Sequence, residues 1–305
     1  MIAPNFEDKY NCECLVSCQG EMSHPNDPHV LIRGIVLLYR ELCSLIMAKV
    51  FITGSADGLG HLAAKLLVSQ GHYVVLHARN AERGKQALAD LPGAECVLTA
   101  DLSSLKETKK LAGDVNEMGD FDAVIHNAGV YNNTGRQDPL DFQQMMLTVN
   151  TLAPYILTCL IKKPKRLIYL SSGMHQQGDS SLKILNNLPK SARIYQTYSD
   201  TKLHDVILCL AVARKWPDVY ANALDPGWVP TKMGGAGAPD NLEKGFETQA
   251  WLAVSNDEQA KVSGHFFYHQ KQKHHHPAAH DINIQEKFLT LCEQITGVRF
   301  PDAQS

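Results

Sequence analysis

The stretch Lys49-Val-Phe-Ile-Thr-Gly-Ser-Ala-Asp-Gly-Leu-Gly60 joins an apolar run to a cluster of glycines. The first five residues of this stretch are rich in β-branched and aromatic side chains, which favours a β-strand. From Leu59 to Ser69, apolar residues recur at helical spacing, and Gly71 follows where a C-terminal cap belongs. The stretch therefore predicts a strand, a tight turn and a helix in direct succession.

The same alternation of strand and helix continues along the chain. Further strands are expected at 73–76, 96–100, 123–126, 167–170, 220–224 and 265–268. Helices are expected near 81–91, 103–112, 138–162, 196–215, 241–254 and 283–296. Because strands that are apolar throughout are buried on both faces, the pattern predicts an α/β fold, a single doubly wound Rossmann-type domain with a mostly or wholly parallel sheet. Ligands of such a domain bind beyond the carboxyl ends of the strands.

The composition of this 305-residue chain favours a globular protein that binds a small molecule. Hydrophobic residues make up 44% and charged residues 20%, so neither a disordered chain nor a coiled coil is expected. The formal net charge is −3, which provides no basic excess to hold a phosphate backbone. We therefore expect a small-molecule partner and no nucleic acid.

The glycine turn, Thr53-Gly54-Ser55-Ala56-Asp57-Gly58-Leu59-Gly60, has the spacing G-x-x-x-G-x-G. Glycines allow the backbone to turn tightly and to approach a pyrophosphate, whose charge is met by amides at the helix start. Glycines also collect in turns for steric reasons alone, but a turn between a strand and a helix favours a dinucleotide site. This turn resembles the TGxxxGxG motif of the ordinary, non-extended members of the short-chain dehydrogenase/reductase family.

Further motifs follow in the order expected of that family, and the resemblance covers roughly residues 48–298. They are Asp101-Leu102, Asn127-Ala128-Gly129, Asn150, Ser171-Ser172, Tyr198-Ser-Asp-Thr-Lys202 and Pro226-Gly227-Trp228-Val229-Pro-Thr231. The resemblance implies that Asp101 meets the adenine and that Asn127 to Gly129 pass under the adenosine half of the cofactor. It also assigns to the cofactor site the glycine turn from Thr53 to Gly60 and Leu102, Tyr198, Lys202, Pro226, Gly227 and Val229.

The residues after the second strand indicate which dinucleotide is bound. In a dinucleotide-binding fold, an acid at this point bonds the ribose 2′-hydroxyl and selects NAD. Here the strand ends in His77-Ala78-Arg79-Asn80, with Ala78 at the acid position and Arg79 beside it. Because a guanidinium pairs bidentately with a phosphate, we expect NADP(H) rather than NAD(H). The alternative is that Arg79 is a solvated arginine at a helix entry.

Tyr198 and Lys202 are candidates for acid/base catalysis. They are four residues apart in a predicted helix, so their side chains lie on one face. A free tyrosine has a pKa near ~10 and an ammonium nearby lowers it, which makes proton transfer at neutral pH easier. An aromatic ring packed over a lysine stem gives the same spacing without any catalytic role. Tyr195, seven residues from Lys202, lies out of direct reach.

The family resemblance implies a role for each of four residues. Tyr198 would be the acid/base, Lys202 would lower its pKa and bind the nicotinamide ribose, and Ser172 would hydrogen-bond the substrate oxygen. Asn150 would support a water molecule near Lys202 in a proton relay. The alternative for Asn150 is a buried asparagine that mends the helix upstream of Pro154.

The substrate side of the site is expected to vary from the usual pattern. Ser172 and Tyr198 are 26 residues apart, which resembles the branch that contains retinol-dehydrogenase-like and protochlorophyllide-reductase-like enzymes. The extra segment, 173–197, is expected to form part of the substrate wall, and the glycine-rich stretch after Gly227 a mobile lid. Met174, Tyr131 and Trp228 would line an apolar pocket or, equally, pack in the core.

The first 46 residues differ from the rest of the chain. They hold Cys12, Cys14 and Cys18, show no strand–helix alternation, and carry all of the excess negative charge. Met47-Ala-Lys-Val resembles a natural start placed directly before the first strand. We expect residues 1–46 to be a poorly structured or partly helical N-terminal extension and 47–305 to be the NAD(P)-binding domain.

Membrane and secretion signals are weak in this sequence. The best candidate span, 30–47, is interrupted by Arg33, Arg40 and Glu41, whereas a span needs about 20 largely uncharged residues. No secretory signal is visible, and most cysteines lie in apolar runs, as buried thiols in a reducing compartment do. We expect a cytoplasmic protein without a membrane span. The alternative is an interfacial helix or membrane anchor at 30–46.

No metal site is expected. The histidine-rich stretch 271–277 has adjacent histidines beside Pro277 without an established ligand spacing, which favours a surface loop over a metal centre. The clustered N-terminal cysteines fit no zinc pattern. The histidines concerned are His274, His275, His276 and His280.

The sequence thus predicts an NADP(H)-dependent oxidoreductase that transfers a hydride between the nicotinamide and a carbonyl or alcohol of a small apolar molecule. The family resemblance also implies a homo-oligomer. One alternative is an extended-type nucleotide-sugar epimerase or dehydratase, against which TGxxxGxG and the lack of a sizeable C-terminal substrate domain argue. Another is a non-catalytic NADP(H)-sensing regulator, in which loss of Tyr198 or Lys202 would be expected.

Overall fold

Eight short runs of residues form the strands of one sheet. The computed structural model describes residues 47–131, 138–187 and 193–301, and the compact unit that contains the sheet begins at Met47. The strands are β1 (Lys49–Ile52), β2 (Tyr73–Ala78), β3 (Cys96–Thr99), β4 (Ala123–His126), β5 (Arg166–Leu170), β6 (Tyr220–Asp225), β7 (His265–Tyr268) and β8 (Lys271–Lys273). Seven of them lie where the apolar runs of the sequence predict strands.

The sheet has the strand order β3-β2-β1-β4-β5-β6-β7-β8. All neighbouring strands are parallel except β7 and β8, which are antiparallel. Since β1 pairs with both β2 and β4, the chain reverses its direction of travel across the sheet at β1. This topology confirms the predicted doubly wound α/β fold, and the crevice at such a reversal is where these folds bind ligands.

Helices cover both faces of the sheet. They are α1 (Gly58–Ser69), α2 (Ala81–Asp90), α3 (Leu105–Glu117), α4 (Pro139–Leu147), α5 (Ala153–Leu160), α6 (Lys183–Asn186), α7 (Ile194–Lys215), α8 (Leu242–Val254) and α9 (Ile282–Thr296). Successive residues of β1 point to opposite faces, so Val50 and Ile52 join one buried cluster and Phe51 the other. The first cluster includes residues of α1, α2 and α8, and the second includes residues of α3, α5, α7 and α9.

The helix predicted over 138–162 is confirmed from Pro139 to Leu160, but it contains a π-helical turn. A π-helical turn over Thr148–Leu152 separates α4 from α5. Pro154 has no N–H to donate and its ring crowds the preceding turn, so the chain widens there and Ala153 N–H bonds to Thr148 O, five residues back. The π turn places Asn150 at the buried centre of the widened segment.

The stretch 271–277, predicted as a loop, instead begins with the edge strand β8. The strand escaped prediction because Lys271-Gln-Lys273 is polar and fully exposed. A two-residue turn with positive φ at both His269 (48°) and Gln270 (61°) connects it to β7. Such a hairpin turn normally carries Asn-Gly, so this one has no recognisable turn signature.

Candidate active site

The glycine turn packs directly against the chain that follows β4. Gly54 and Gly58 have backbone φ angles of +65° and +58°, which residues with a side chain rarely adopt. A Cβ added at Gly60 would lie 2.3 Å from Asn127 Nδ2 and 2.8 Å from Gly54 O. Asn127 Nδ2 in turn donates to Thr53 O (2.9 Å) and Gly54 O (3.2 Å). Glycine is therefore required at position 60 so that the Asn127 amide can tie the turn to β4.

The hydroxyls of Thr53 and Ser55 hold this turn in place by bonding to backbone groups on the side away from the cleft. Both are buried, and Thr53 Oγ1 accepts hydrogen bonds from the backbone N–H groups of Asn127 (3.0 Å) and Ala128 (3.1 Å). Ser55 Oγ donates to Ile52 O (2.8 Å). These two residues, predicted to bind the cofactor, thus shape the turn from the protein side.

His77, at the end of β2, is a part of the turn that the sequence did not reveal. Its Nδ1 accepts the Gly54 N–H (2.9 Å), its Nε2 lies 3.1 Å from Ala100 O, and its backbone N–H donates to Ser55 Oγ (2.8 Å). Burial lowers the pKa of His77 to about 4, although Ala100 O and the charge of Asp101 oppose the shift. The ring is therefore neutral, with its proton on Nε2, and it links the turn to β2 and β3.

A cleft of about 350 Å³ opens beyond the carboxyl ends of the strands. Most residues predicted to bind the cofactor line it. These are Gly54, Asp57, Gly58, Leu59, Arg79, Asp101, Leu102, Asn127, Ala128, Gly129, Tyr198, Lys202 and Pro226. Gly227 and Val229 line a neighbouring, larger cavity instead.

Charged side chains gather at the start of α1. Asp57 caps this helix by accepting the Gly58 N–H (2.8 Å), and its carboxylate pairs with Arg83 (3.4 Å) and with Lys232. Burial alone would raise the pKa of Asp57, but the hydrogen bonds from Lys232 and Gly58 and the charges of Lys232 and Arg83 hold it below its ordinary value. Arg79 is exposed and lines the same cleft. The sequence predicted a role for Arg79 but not for Arg83 or Lys232.

Tyr198 and Lys202 lie on one face of α7, as their spacing predicts. Lys202 Nζ is 5.7 Å from the centre of the Tyr198 ring, and both residues are almost fully buried. Lys202 Nζ donates to Leu170 O (2.7 Å), at the end of β5, and to Asp205 Oδ2 (2.8 Å). The ammonium is thus fixed by a strand end and by a carboxylate that the sequence motifs did not include.

The pKa of Tyr198 lies above its ordinary value in this environment. Burial is the largest influence and raises it, and Asp205, Asp225 and Tyr131 add to the rise. Lys202 lowers the pKa of Tyr198, as expected, but does not outweigh burial. At neutral pH, Tyr198 is therefore a protonated group that can donate.

The two serines after β5 face different surroundings. Ser171 is buried, and its hydroxyl donates to Lys202 O (2.7 Å) in α7. Ser172 is half-buried and lines the larger cavity, where its Oγ accepts the Met174 N–H (3.3 Å) at the start of a short 3₁₀ helix, Gly173–Gln177. Ser171 lines the cleft and the larger cavity as well, but its hydroxyl proton is used by Lys202 O.

Asn150 is buried, and its amide is used by the chain itself. Its Oδ1 accepts the Val130 N–H (2.8 Å), and its Nδ2 donates to Val130 O (3.0 Å) and Thr201 Oγ1 (3.2 Å). A Cβ added at Gly129 would lie 3.6 Å from Asn150 Oδ1 and 3.7 Å from Lys202 Nζ. Asn150 therefore positions the strand-end loop that passes in front of Lys202.

The larger cavity, of about 920 Å³, lies next to the cleft and shares Tyr198 with it. Tyr131, Met174 and Trp228 line it, as expected, and Phe266 and Tyr268 add to its aromatic wall. Tyr131 also packs on Tyr198, with ring centres 4.5 Å apart, and Met174 packs in the same small hydrophobic cluster. Part of the inserted segment 173–197 forms this wall, while 188–192 lie outside the described residues.

Comparison with known proteins supports the family resemblance. The sequence pattern of the short chain dehydrogenase family matches residues 48–166. An uncharacterized oxidoreductase of Emericella nidulans, AN7799, is 46% identical over 260 residues, which cover 84% of this chain and 99% of that protein. The chain belongs to the short-chain dehydrogenase/reductase family. It is an oxidoreductase of that family.

Other members of the short-chain dehydrogenase/reductase family agree with the predicted branch and fold. Retinol dehydrogenase 13 of Homo sapiens is 27% identical over 287 residues, 84% of this chain and 86% of that protein. The crystal structure of a blue fluorescent protein from a metagenomic library, in complex with NADPH, shares the fold with a TM-score of 0.58 at 18% identity, over 72% of this chain and 95% of that one. These findings do not favour an epimerase or a non-catalytic sensor.

Neither a metal-binding cluster nor a membrane-spanning helix is found in the described part of this short-chain dehydrogenase/reductase. Within residues 47–131, 138–187 and 193–301, no group of three or more His, Cys, Asp or Glu side chains could hold a metal ion. In the same part of the chain, no helix is both long and apolar enough to cross a bilayer. The candidate helix at 30–46 and the clustered cysteines lie outside the described residues.

Replacing Gly60 with alanine tests the packing of the glycine turn. The added methyl would collide with Gly54 O and the Asn127 amide, so we expect the free energy of unfolding to fall by about 1–3 kcal/mol. Urea denaturation followed by circular dichroism measures the change. Gly113→Ala is the matched control, because no atom lies within 4 Å of its added Cβ and alanine is favoured in the interior of α3. A Gly60→Ala protein as stable as the control would contradict the tight packing.

Proposed function

We propose that the protein is an NADP(H)-dependent oxidoreductase that transfers a hydride between the nicotinamide and a carbonyl or alcohol of a small apolar molecule, with Tyr198 as acid/base. The observation that carries this proposal is the position of Tyr198. It lies in the wall that the cleft and the larger cavity share, beside the Lys202 ammonium. A proton donor there reaches a substrate in the larger cavity while a cofactor fills the cleft.

The residues of the chain supply the proton and the charge stabilisation. Tyr198 donates its hydroxyl proton to the substrate carbonyl oxygen during reduction and takes it back during oxidation. Ser172 donates a hydrogen bond to the same oxygen, and the Lys202 ammonium stabilises the tyrosinate that remains. The nicotinamide, when bound, supplies or accepts the hydride.

The cleft fits a dinucleotide that carries an additional phosphate. Gly54 and Gly58 leave room for a pyrophosphate at the start of α1, where backbone amides face an anion. Around them, Arg79, Arg83 and Lys232 line the cleft together with two carboxylates, Asp57 and Asp101. The excess of positive charge favours NADP(H) over NAD(H), and the NADPH complex of the same fold supports that choice.

The larger cavity favours an apolar substrate. Its wall contains Tyr131, Phe266, Tyr268, Trp228 and Met174, and aromatic rings of this kind contribute large apolar contact areas. Trp228 is 62% exposed, and its Nε1 donates to Gly234 O (2.8 Å) across the glycine-rich stretch after β6. We propose this stretch as the lid of the substrate cavity.

Replacement of Tyr198 by phenylalanine tests the acid/base role. The variant keeps the ring but loses the proton donor, so we expect kcat to fall by ~10²–10⁴-fold while NADPH binding is nearly unchanged. NADPH oxidation against a panel of aromatic aldehydes, ketones and quinones measures the first, and fluorescence titration the second. Tyr195→Phe is the matched control, because Tyr195 is exposed on the same helix and its hydroxyl donates to Gln177 and not to a residue of the catalytic pair. Retention of more than a few per cent of kcat in Tyr198→Phe would exclude Tyr198 as the acid.

Replacement of Arg79 by alanine tests the preference for NADP(H). Loss of a charged hydrogen-bonded pair is expected to weaken NADPH binding by ~1.5–3 kcal/mol, about 10- to 150-fold, and to leave NADH binding almost unchanged. Titration with both cofactors measures the difference. Arg214→Ala is the control, since Arg214 lies at the C-terminal end of α7, away from Tyr198 and Lys202, and pairs with Glu286. Equal weakening of both cofactors would remove the basis for the NADP(H) assignment.

We also propose that residues 47–305 form the catalytic domain of a cytoplasmic homo-oligomer and that 1–46 are a dispensable extension. The compact unit of the chain that carries the sheet and both cavities begins at Met47, which supports this division.

Expression of residues 47–305 alone tests this division. We expect soluble protein with the Tm, the number of subunits per oligomer and the NADPH-dependent activity of the full chain. Size-exclusion chromatography and the thermal unfolding curve measure the first two. Insoluble protein, or soluble protein without activity, would place the extension inside the functional fold.

A further inference from the structure

A buried carboxylate lies directly behind the proposed catalytic pair. Asp205 follows Lys202 by one turn of α7, and its Oδ2 accepts a hydrogen bond from Lys202 Nζ at 2.8 Å. The two side chains are only 4% and 5% exposed. Among the ion pairs of the residues that the structure describes, this is the one in which both partners are almost completely buried.

The pair fixes where the ammonium of Lys202 lies. An ammonium has three N–H groups, and Leu170 O and Asp205 Oδ2 accept two of them. Nζ lies 3.7 Å from the point that a Cβ on Gly129 would occupy, at the floor of the cleft. The third N–H is therefore left to donate to a ligand in the cleft. Asp205 helps to hold Nζ close enough to the cleft for that hydrogen bond.

The pair also stabilises the charged form of Lys202. An ammonium buried without a counter-charge tends to lose its proton, because burial disfavours the charged form. Burial does lower the pKa of Lys202, but the charges of Asp205 and Tyr198 and the hydrogen bond to Asp205 raise it above its ordinary value. Asp205 thus adds to the stability of the buried ammonium, which keeps Leu170 O as an acceptor and Tyr198 as a neighbour when Asp205 is replaced by a neutral residue.

The same carboxylate acts on Tyr198 with the opposite sign to Lys202. Lys202 lowers the pKa of Tyr198, whereas Asp205 raises it, together with Asp225 at the end of β6 and Tyr131 in the larger cavity. Tyr169 on β5 and Cys209 on α7 also face Asp205, but burial raises the pKa of both well above ordinary values, so both stay neutral. Burial raises the pKa of Asp205 itself to about 6, against the charge and the hydrogen bond of Lys202, so Asp205 is a carboxylate above that pH.

We propose that Asp205 is a positioning residue of the reaction, which holds the Lys202 ammonium between the end of β5 and the cleft, beside the Tyr198 ring. The proposal rests on the proposed function, because it takes Tyr198 as the proton donor. Asp205 itself touches neither cavity.

The sign of the effect follows from the charges. Asp205→Asn removes one negative charge but keeps the shape of the side chain, so the tyrosinate of Tyr198 is stabilised by a less compensated ammonium. The pKa of Tyr198 then falls. Carbonyl reduction, which needs protonated Tyr198, loses its rate at lower pH, and alcohol oxidation, which needs the tyrosinate, gains its rate at lower pH. We expect the pH–rate profiles of reduction and of oxidation, whose sloping limbs report the pKa of Tyr198, both to move to lower pH by about one unit.

The experiment measures kcat and kcat/KM against pH in both directions, on the full chain, with NADPH or NADP⁺ and the best substrate of the panel. Asp205→Asn is expected to shift both limbs to lower pH by about one unit. Asp205→Ser, which is also neutral but smaller, is expected to give the same shift, and the charge-conserving Asp205→Glu to restore the native limbs.

Asp200→Asn is the matched control for these variants. Asp200 is buried on the same helix, but its Oδ1 accepts from Asp179 N–H and Gln196 Nε2 and not from Lys202. We expect its pH limbs to coincide with those of the native protein.

Two results would overturn the role of Asp205. One is a pair of neutral variants whose limbs coincide with the native ones, and the other is that neither neutral variant folds, which would make the ion pair purely structural. Failure of the proposed function looks different, since the native protein would then oxidise no NADPH with any carbonyl, or Tyr198→Phe would remain active. The two failures are therefore distinguishable in one set of measurements.

Discussion

The contact between the glycine turn and the chain after β4 is the constraint on which the site depends. Gly60 leaves the space that the Asn127 amide occupies, and that amide fastens the turn to Thr53 O and Gly54 O. The chain then continues through Gly129, which passes close to Asn150 Oδ1 and Lys202 Nζ. One close approach thus sets the distance between the proposed phosphate end of the cleft and the proposed catalytic end. A side chain at Gly60 would therefore displace both the proposed phosphate end and the proposed catalytic end of the cleft.

Local patterns were sufficient to predict most of the fold and part of the site. The apolar run of β1, the helical spacing after Gly58 and the four-residue spacing of Tyr198 and Lys202 are all read within one element. Whether such a pattern forms a strand or a helix depends mainly on residues close together in the chain. For that reason the predicted strands lie close to the observed ones. The choice of Ser172 over Ser171 relied on family resemblance and stays a prediction; in the structure, the hydroxyl of Ser171 donates to Lys202 O.

What the sequence did not reveal depends on partners far along the chain or on unfavourable backbone conformations. His77 looked like a polar residue ending a strand, and its role emerges only from Gly54 and Ala100, both 23 residues away. The β8 hairpin was missed because His269 and Gln270 adopt positive φ without the usual turn residues. Asp205 was accessible in principle, since it lies three residues after Lys202, but an acidic residue at that spacing is usually a solvated surface pair.

The polar edge strand has a consequence for how copies of this protein could associate. A sheet edge exposes unpaired N–H and C=O groups that can recruit another strand, and lysines at such an edge discourage that pairing. On β8 all three residues are exposed and two are lysines, so a second copy would bring like charges together at this edge. Growth of the sheet from β8 into a neighbouring molecule is therefore unfavourable.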